Sequence, residues 1–231
     1  MPRISGVTFD VYGTLFDWRT VEKVVFKIFE KKGVEVDVVE FTNYWRSKQL
    51  FYTHVNTLLN KCHERFRNLT RDALVHTLRR YGLDMDDAEV EEAVKAWDDL
   101  EPFPDVEDAL NKVRGMNLKI APLSNGDLEA LRILTAKLSI EFDDIFSAEL
   151  VGVYKPHPKI YEQAPRKWNL KPSEIMHVAG STFDVIGSKS FGMVTTWVNR
   201  TNMIYDEFHL KPDFTVKNFR ELVEVLKRII E

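Results

Sequence analysis

Residues 4–11 form a short, β-branched, almost wholly apolar run that breaks at Tyr12-Gly13-Thr14. A run of that length without polar alternation predicts a buried parallel strand feeding a turn. Over 18–100 the apolar positions switch to helical spacing with no strand candidate, in four pieces near 20–32, 38–62, 70–81 and 86–99. Gly33, residues 68–70 and Gly82 punctuate those pieces as ends and caps. Glu101-Pro102-Phe103-Pro104-Asp105 cannot continue a helix and predicts a linker or hinge. Beyond it the pattern alternates. Helices are predicted over 105–115, 127–138, 158–169, 183–190 and 218–230, and strands over 118–123, 175–179, 193–198 and near 145–149 and 213–216. Such alternation predicts an α/β fold with a doubly wound parallel sheet. The expected division is 1–16 with 101–231 for the sheet-bearing core and 17–100 for an inserted, all-helical block.

Composition narrows the class. The 231 residues are 44% hydrophobic with only ten Gly and nine Pro, which excludes a collagenous or low-complexity chain. The formal net charge of −4 is spread without long single-sign blocks, so no nucleic-acid partner is expected. Cys62 alone supplies neither an internal disulfide nor a Cys-rich zinc site. No basic segment leads into an apolar stretch near the N-terminus, and no apolar run approaches the roughly 20 residues that span a bilayer. The expectation is a soluble, cytoplasmic protein with no membrane partner.

In a doubly wound sheet the ligand sits outside the C-terminal ends of the strands, and four segments deliver reactive groups there. Asp10 ends the first strand. On its own it reads as an N-cap or a buried ion pair, but Gly13 permits a sharp turn and Thr14 can fix one carboxylate oxygen for attack. Lys155 is the candidate cation to hold that carboxylate ionised, against a solvated loop lysine. Ser124 and Asn125 precede Gly126-Asp127, either as a turn and cap or as donors to an anionic substrate group. Asp184 follows Ser181-Thr182-Phe183 as a first-turn acid, or as a partner for Lys155 that positions water.

Phe9-Asp10-Val11-Tyr12-Gly13-Thr14-Leu15, the strand ending in Ser124-Asn125-Gly126, Lys155-Pro156 and the segment 180–184 resemble the four ordered motifs of the haloacid dehalogenase superfamily. The resemblance implies a Rossmann-like core, with the helical block as its cap domain. Within the superfamily the chain is most similar to the L-2-haloacid dehalogenases. Trp45-Arg46-Ser47-Lys48-Gln49-Leu50-Phe51-Tyr52-Thr53 resembles their arginine-bearing cap motif, Trp197-Val198-Asn199-Arg200 a stretch near their C-terminus, and Tyr161 follows Lys155 at the matching distance.

Most superfamily members are magnesium-dependent phosphatases, which carry a second aspartate two residues after the nucleophile and another four before the final aspartate. Here those positions are Tyr12 and Gly180. A halide leaves as a stable anion and needs no proton donor, and two separated carboxylates make a thin magnesium site, so no essential metal or other cofactor is expected. The resemblance implies that Asp10 attacks carbon 2 of a short 2-haloacid, and that water positioned by Asp184 and Lys155 then hydrolyses the ester. It implies that Ser124 and the backbone of Val11 and Tyr12 hold the substrate carboxylate. By the same resemblance Arg46 and Asn125 would receive the halide, and Tyr12, Leu50 and Phe183 are candidates for the wall around the carbon chain. Thr14, Tyr161 and Ser181 complete the implied catalytic set. A homodimer is common in that family.

The chain departs from the dehalogenase pattern. A Ser five before the final aspartate is Ala179, an Asn three before it is Ser181, a Trp is Phe183, and a Gln after the cap arginine is Ser47. The histidines at 54, 63, 76, 157, 177 and 209 show no metal spacing and read as ordinary surface or core residues. Cys62-His63-Glu64 reads as incidental on a helix, and Gly187-Ser188-Lys189-Ser190 lacks the glycine spacing of a phosphate loop. A magnesium-dependent phosphatase of a small phosphomonoester and a non-catalytic binding protein on the same fold stand as the alternatives.

Overall fold

The computed structural model describes residues 3–59 and 62–230. In chain order, β1 (Gly6–Phe9) and β2 (Phe16–Asp17) lead into α1 (Val21–Lys31), α2 (Val38–Leu59), α3 (Phe66–Tyr81) and α4 (Asp87–Lys95). There follow β3 (Glu101–Pro102), α5 (Val106–Arg114), β4 (Lys119–Ser124), α6 (Leu128–Thr135), β5 (Phe146–Ser147) and α7 (Pro158–Trp168). The chain closes with β6 (Ile175–Ala179), α8 (Thr182–Phe191), β7 (Val194–Val198), β8 (Phe214–Val216) and α9 (Phe219–Ile230).

The sheet order is β5-β4-β1-β6-β7-β8, with every neighbouring pair parallel. β1 is central and fully buried: Val7 and Phe9 share one face, where Phe9 stacks on Phe219 of α9, and Gly6 on the other face lies against Trp168 of α7. After β1 the chain builds outward through β4 and β5, then returns to β6 on the other side of β1. β1 is therefore the switch point, and the crevice beyond its C-terminal end is where such folds bind ligands.

The helical block packs over that crevice. α2 buries Phe41, Trp45, Gln49 and Thr53, a stripe repeating every four residues and half polar. One contiguous apolar cluster runs from the sheet into the block, joining Phe9 and Leu123 to Trp45, Phe66 and Trp97. No helix of the described residues is long and apolar enough to cross a membrane.

Four expectations are corrected. The first strand ends at Phe9 rather than residue 11, because the Val11 carbonyl turns to accept the amides of Thr14, Leu15 and Phe16. The stretch 101–105 is no free linker: Glu101–Pro102 pairs antiparallel with Phe16–Asp17, a two-stranded ribbon at the root of the block. α3 starts at Phe66, four residues before the predicted start, because its cap comes from elsewhere in the chain. α2 ends at Leu59 among the described residues. Cys62-His63-Glu64 is not helical, and 60–61 of the predicted helix lie outside the described residues.

Candidate active site

Asp10 stands just past β1, 7% exposed, with both oxygens occupied. Its Oδ2 accepts the Thr14 hydroxyl at 2.8 Å and its Oδ1 accepts Lys155 Nζ at 2.9 Å. The turn that brings Thr14 back four residues later needs Gly13 at φ +87°, a conformation that favours glycine. Thr14 Oγ1 in turn accepts the Gly180 amide at 2.8 Å, tying the first loop to the end of β6. A Cβ at Gly180 would run into the Gly13 carbonyl oxygen. The close approach of these two loops leaves no room for an aspartate at 180.

Lys155 is 1% exposed and bridges two carboxylates, since Nζ also donates to Asp184 Oδ2 at 2.6 Å. Burial alone would lower its pKa, but the charges of Asp10 and Asp184 outweigh it and raise the ammonium above its ordinary value. Asp184, fully buried in the first turn of α8, also accepts the Tyr161 hydroxyl at 2.8 Å and His177 Nε2 at 3.1 Å on Oδ1. Burial pushes its carboxyl up, yet Lys155 and His177 hold it well below the ordinary carboxylate range. The Tyr161 hydroxyl is pushed up by burial and by the Asp184 charge, so it stays a donor.

Asn125 Oδ1 accepts the Lys155 amide at 2.8 Å, so this residue fixes the lysine loop. Ser124, fully buried, accepts the Gly126 amide at 3.3 Å and retains its hydroxyl proton for donation. Arg46 reaches in from α2, its guanidinium carbon 5.8 Å from the Tyr12 ring centroid and 5.4 Å from that of Trp97. It donates to Gln49 Oε1, and Gln49 Nε2 donates to Thr70 Oγ1 at 2.6 Å. Burial pulls the guanidinium down to about 10, so it remains cationic at neutral pH.

Tyr12, Arg46, Leu50 and Ser181 line a cleft of about 360 Å³ between block and sheet, with Arg19 and Arg200 also on its walls. Phe183 packs instead against His54 of α2, ring centroids 5.4 Å apart. Val11 is fully buried and offers only its backbone, whose carbonyl the turn already uses. Among the described residues no group of three or more His, Cys, Asp and Glu is placed to hold a metal. Gly187 and Ser188 lie inside α8, with Gly187 packed against Tyr161 and Pro156, and so form no phosphate loop.

A family model for haloacid dehalogenase-like hydrolases matches residues 4–192. The chain belongs to that family. It is 35% identical over 229 residues to an (S)-2-haloacid dehalogenase of Pseudomonas sp. (strain YL), covering 98% of this chain and 96% of the relative. The fold superposes on the crystal structure of an L-2-haloacid dehalogenase with a TM-score of 0.91 at 26% identity, covering 97% of this chain and 99% of the other. It also superposes on the L-2-haloacid dehalogenase from Xanthobacter autotrophicus with chloropropionic acid covalently bound. That TM-score is 0.86 at 29% identity, covering 97% and 98%. The helical block is thus the cap of a haloacid dehalogenase-like fold.

Three residues at the site escaped the sequence reading. Gln49 sits in the cap motif but looks like a surface residue on a helix. Asp127 follows the Ser124 loop and reads as a local cap, whereas its carboxylate serves α3. His177 reads from the sequence as an ordinary histidine, whereas the fold buries it beside Asp184. The signal that could have found it is strand periodicity, because 177 and 179 share a face of β6.

Proposed function

We propose that this chain is a hydrolytic dehalogenase that converts short L-2-haloacids to D-2-hydroxyacids through an ester on Asp10. The observation that carries the reading is the Asp10–Lys155–Asp184 bridge beside a Gly180 packed too tightly for the phosphatase aspartate. Tyr12 likewise stands where a phosphatase keeps its proton donor, and burial pushes its hydroxyl well above the ordinary tyrosine value.

One Asp10 oxygen attacks carbon 2 from the side opposite the halogen, the carbon–halogen bond breaks with its electron pair on the halide, and configuration inverts. Arg46 and the Asn125 amide receive the halide; Ser124 and the backbone of Tyr12 hold the substrate carboxylate. Leu50 and Tyr12 contact the carbon chain. Water then adds to the Asp10 carbonyl carbon and the ester bond breaks. One water proton goes to the departing hydroxyacid oxygen, the other is released, and the water oxygen stays on Asp10. A carboxylate has about four acceptor positions. Three on Asp184 are filled by Lys155, Tyr161 and His177, so the fourth, on Oδ2 beside Lys155, is the seat for that water. Ser181 lines the approach. Residues 17–100 act as the cap and 1–16 with 101–231 as the core, with Arg46 completing the site from the cap side.

The test is release of halide and hydroxyacid from the separate enantiomers of 2-chloropropionate with chelator present. The expected result is turnover of the L-form alone, with D-lactate as product. Asp10→Asn should abolish turnover while the protein stays folded, because the change leaves a neutral Lys155–Asp184 pair in place of a trio carrying one excess negative charge. Turnover of a phosphomonoester with magnesium and none of either 2-chloropropionate would overturn the assignment.

A further inference from the structure

Ala179, five residues before Asp184 and at the end of β6, carries no polar group. Two residues upstream, on the same face of β6, stands His177, fully buried. Thr8 is its register partner on β1, and Thr8 Oγ1 lies 2.8 Å from Nδ1. The ring's other nitrogen, Nε2, lies 3.1 Å from Asp184 Oδ1. An ionised carboxylate has no proton to give, so Nε2 carries the hydrogen and donates. The Tyr161 ring meets the imidazole edge-on, centroids 5.8 Å apart, which prevents the ring from swinging away.

We propose that His177 is a positioning residue for the proposed dehalogenation, holding Asp184 so that Oδ2 faces Lys155 and the hydrolytic water. The inference rests on the dehalogenase reading above. His177 and Tyr161 together fill both acceptor positions of Oδ1, which leaves Oδ2 as the only oxygen free to serve the reaction. The groups facing Asp184 are Lys155, Tyr161 and His177, with Asp10 beyond Lys155 and Thr8 closing the far side of the ring. Without His177, Asp184 can rotate about its side-chain bond, and Lys155, which spans both carboxylates, moves with it. Misplacement on that scale costs up to about a hundredfold in rate.

His177→Phe keeps the volume and removes the donor, while His177→Gln restores a nitrogen donor near the position of Nε2. With L-2-chloropropionate, His177→Phe is expected to lower kcat about tenfold with KM within about twofold. The acid limb of its pH profile should move up, since Asp184 loses a donor to its charged form. His177→Gln should recover most of the rate and return the limb. A role confined to packing would instead leave the limb in place. A second measurement needs no turnover: urea unfolding of wild type, His177→Phe, Asp184→Ala and the double variant. The two penalties should overlap, the His177→Phe cost largely vanishing once Asp184 is gone. Additive penalties, or a folded His177→Phe protein with wild-type kcat and limb, would overturn the proposal. Absence of halide release by the wild-type protein would instead sink the dehalogenase reading, while the unfolding cycle would still decide whether His177 holds Asp184.

Discussion

A lysine buried between two carboxylates is tolerable only because each partner neutralises part of the other's burial cost. Lys155 is the one cation of that cluster, donating to Asp10 at 2.9 Å and Asp184 at 2.6 Å. Lys155→Met would strand two buried carboxylates, so the expected loss of unfolding free energy is about 3–5 kcal/mol, measured by urea denaturation at neutral pH. The pH dependence follows from Asp184, whose folded pKa lies below its ordinary 3.8. A depressed folded pKa means stability that is fully present above the unfolded value and is lost as pH falls through the folded one. Stability should therefore decline below about pH 4, and Asp184→Asn should flatten that slope in urea titrations between about pH 4.5 and 3. A slope unchanged in the variant would show that other carboxylates carry the acid lability. Asp10, Thr14, Lys155 and Asp184 were readable in the sequence only in company, as ordered motifs following predicted strands, since taken singly Asp10, Lys155 and Asp184 also read as a cap, an ion pair or a solvated loop residue. His177 was not, because a histidine among five others gives no spacing to read, and its partner lies on a following helix.

Helix α3 shows where local pattern fails. Its first residue follows Arg65, which makes no side-chain cap, and the first-turn amides of Phe66 and Arg67 are instead taken by the Asp127 carboxylate at 3.0 Å each. The cap helix is capped from the core, by a residue two past Asn125. Residues 68–70 resemble a local N-cap because Asn and Thr favour such positions, but Thr70 instead donates back to the Phe66 carbonyl at 2.7 Å. A capping group sixty-one residues away in the chain leaves no trace in a window read along the sequence. Asp127→Ala should cost about 1–2 kcal/mol in unfolding free energy and speed amide exchange at Phe66 and Arg67, leaving exchange in β1 unchanged. Uniform loss of protection through the sheet would refute a cap confined to α3.

At the scale of the molecule, cap and core are joined by more than the two crossing chains. The Tyr154 amide donates to Thr57 at 2.9 Å and the Tyr154 hydroxyl to the Glu64 carbonyl, so the loop that carries Lys155 is tied to both ends of the α2–α3 connection. Tyr12 of the nucleophile loop stacks on Phe66 at 5.3 Å and meets Trp97 at 6.0 Å, while Trp97 stacks flat on Trp18 and edge-on to Trp45. Arg200 pairs with Asp105 at 2.9 Å and donates to the Thr14 carbonyl at 3.4 Å, locking the root of the cap against the nucleophile loop. Alternating strands and a helical insertion were apparent from periodicity, but these ties were not, because each joins segments that look complete by themselves. Their sum makes the apolar cluster continuous across the boundary, and a continuous core unfolds as one unit even where the chain crosses twice. Trp18, Trp45 and Trp97 report on the cap and Trp168 and Trp197 on the core. In a Trp168→Phe, Trp197→Phe variant the remaining fluorescence reads the cap alone, and its urea midpoint should coincide with the far-ultraviolet circular dichroism midpoint of the whole chain. A lower fluorescence midpoint would mean the cap melts first, and Arg46 would then leave the site in a partly unfolded state before the Asp10–Lys155–Asp184 bridge is lost.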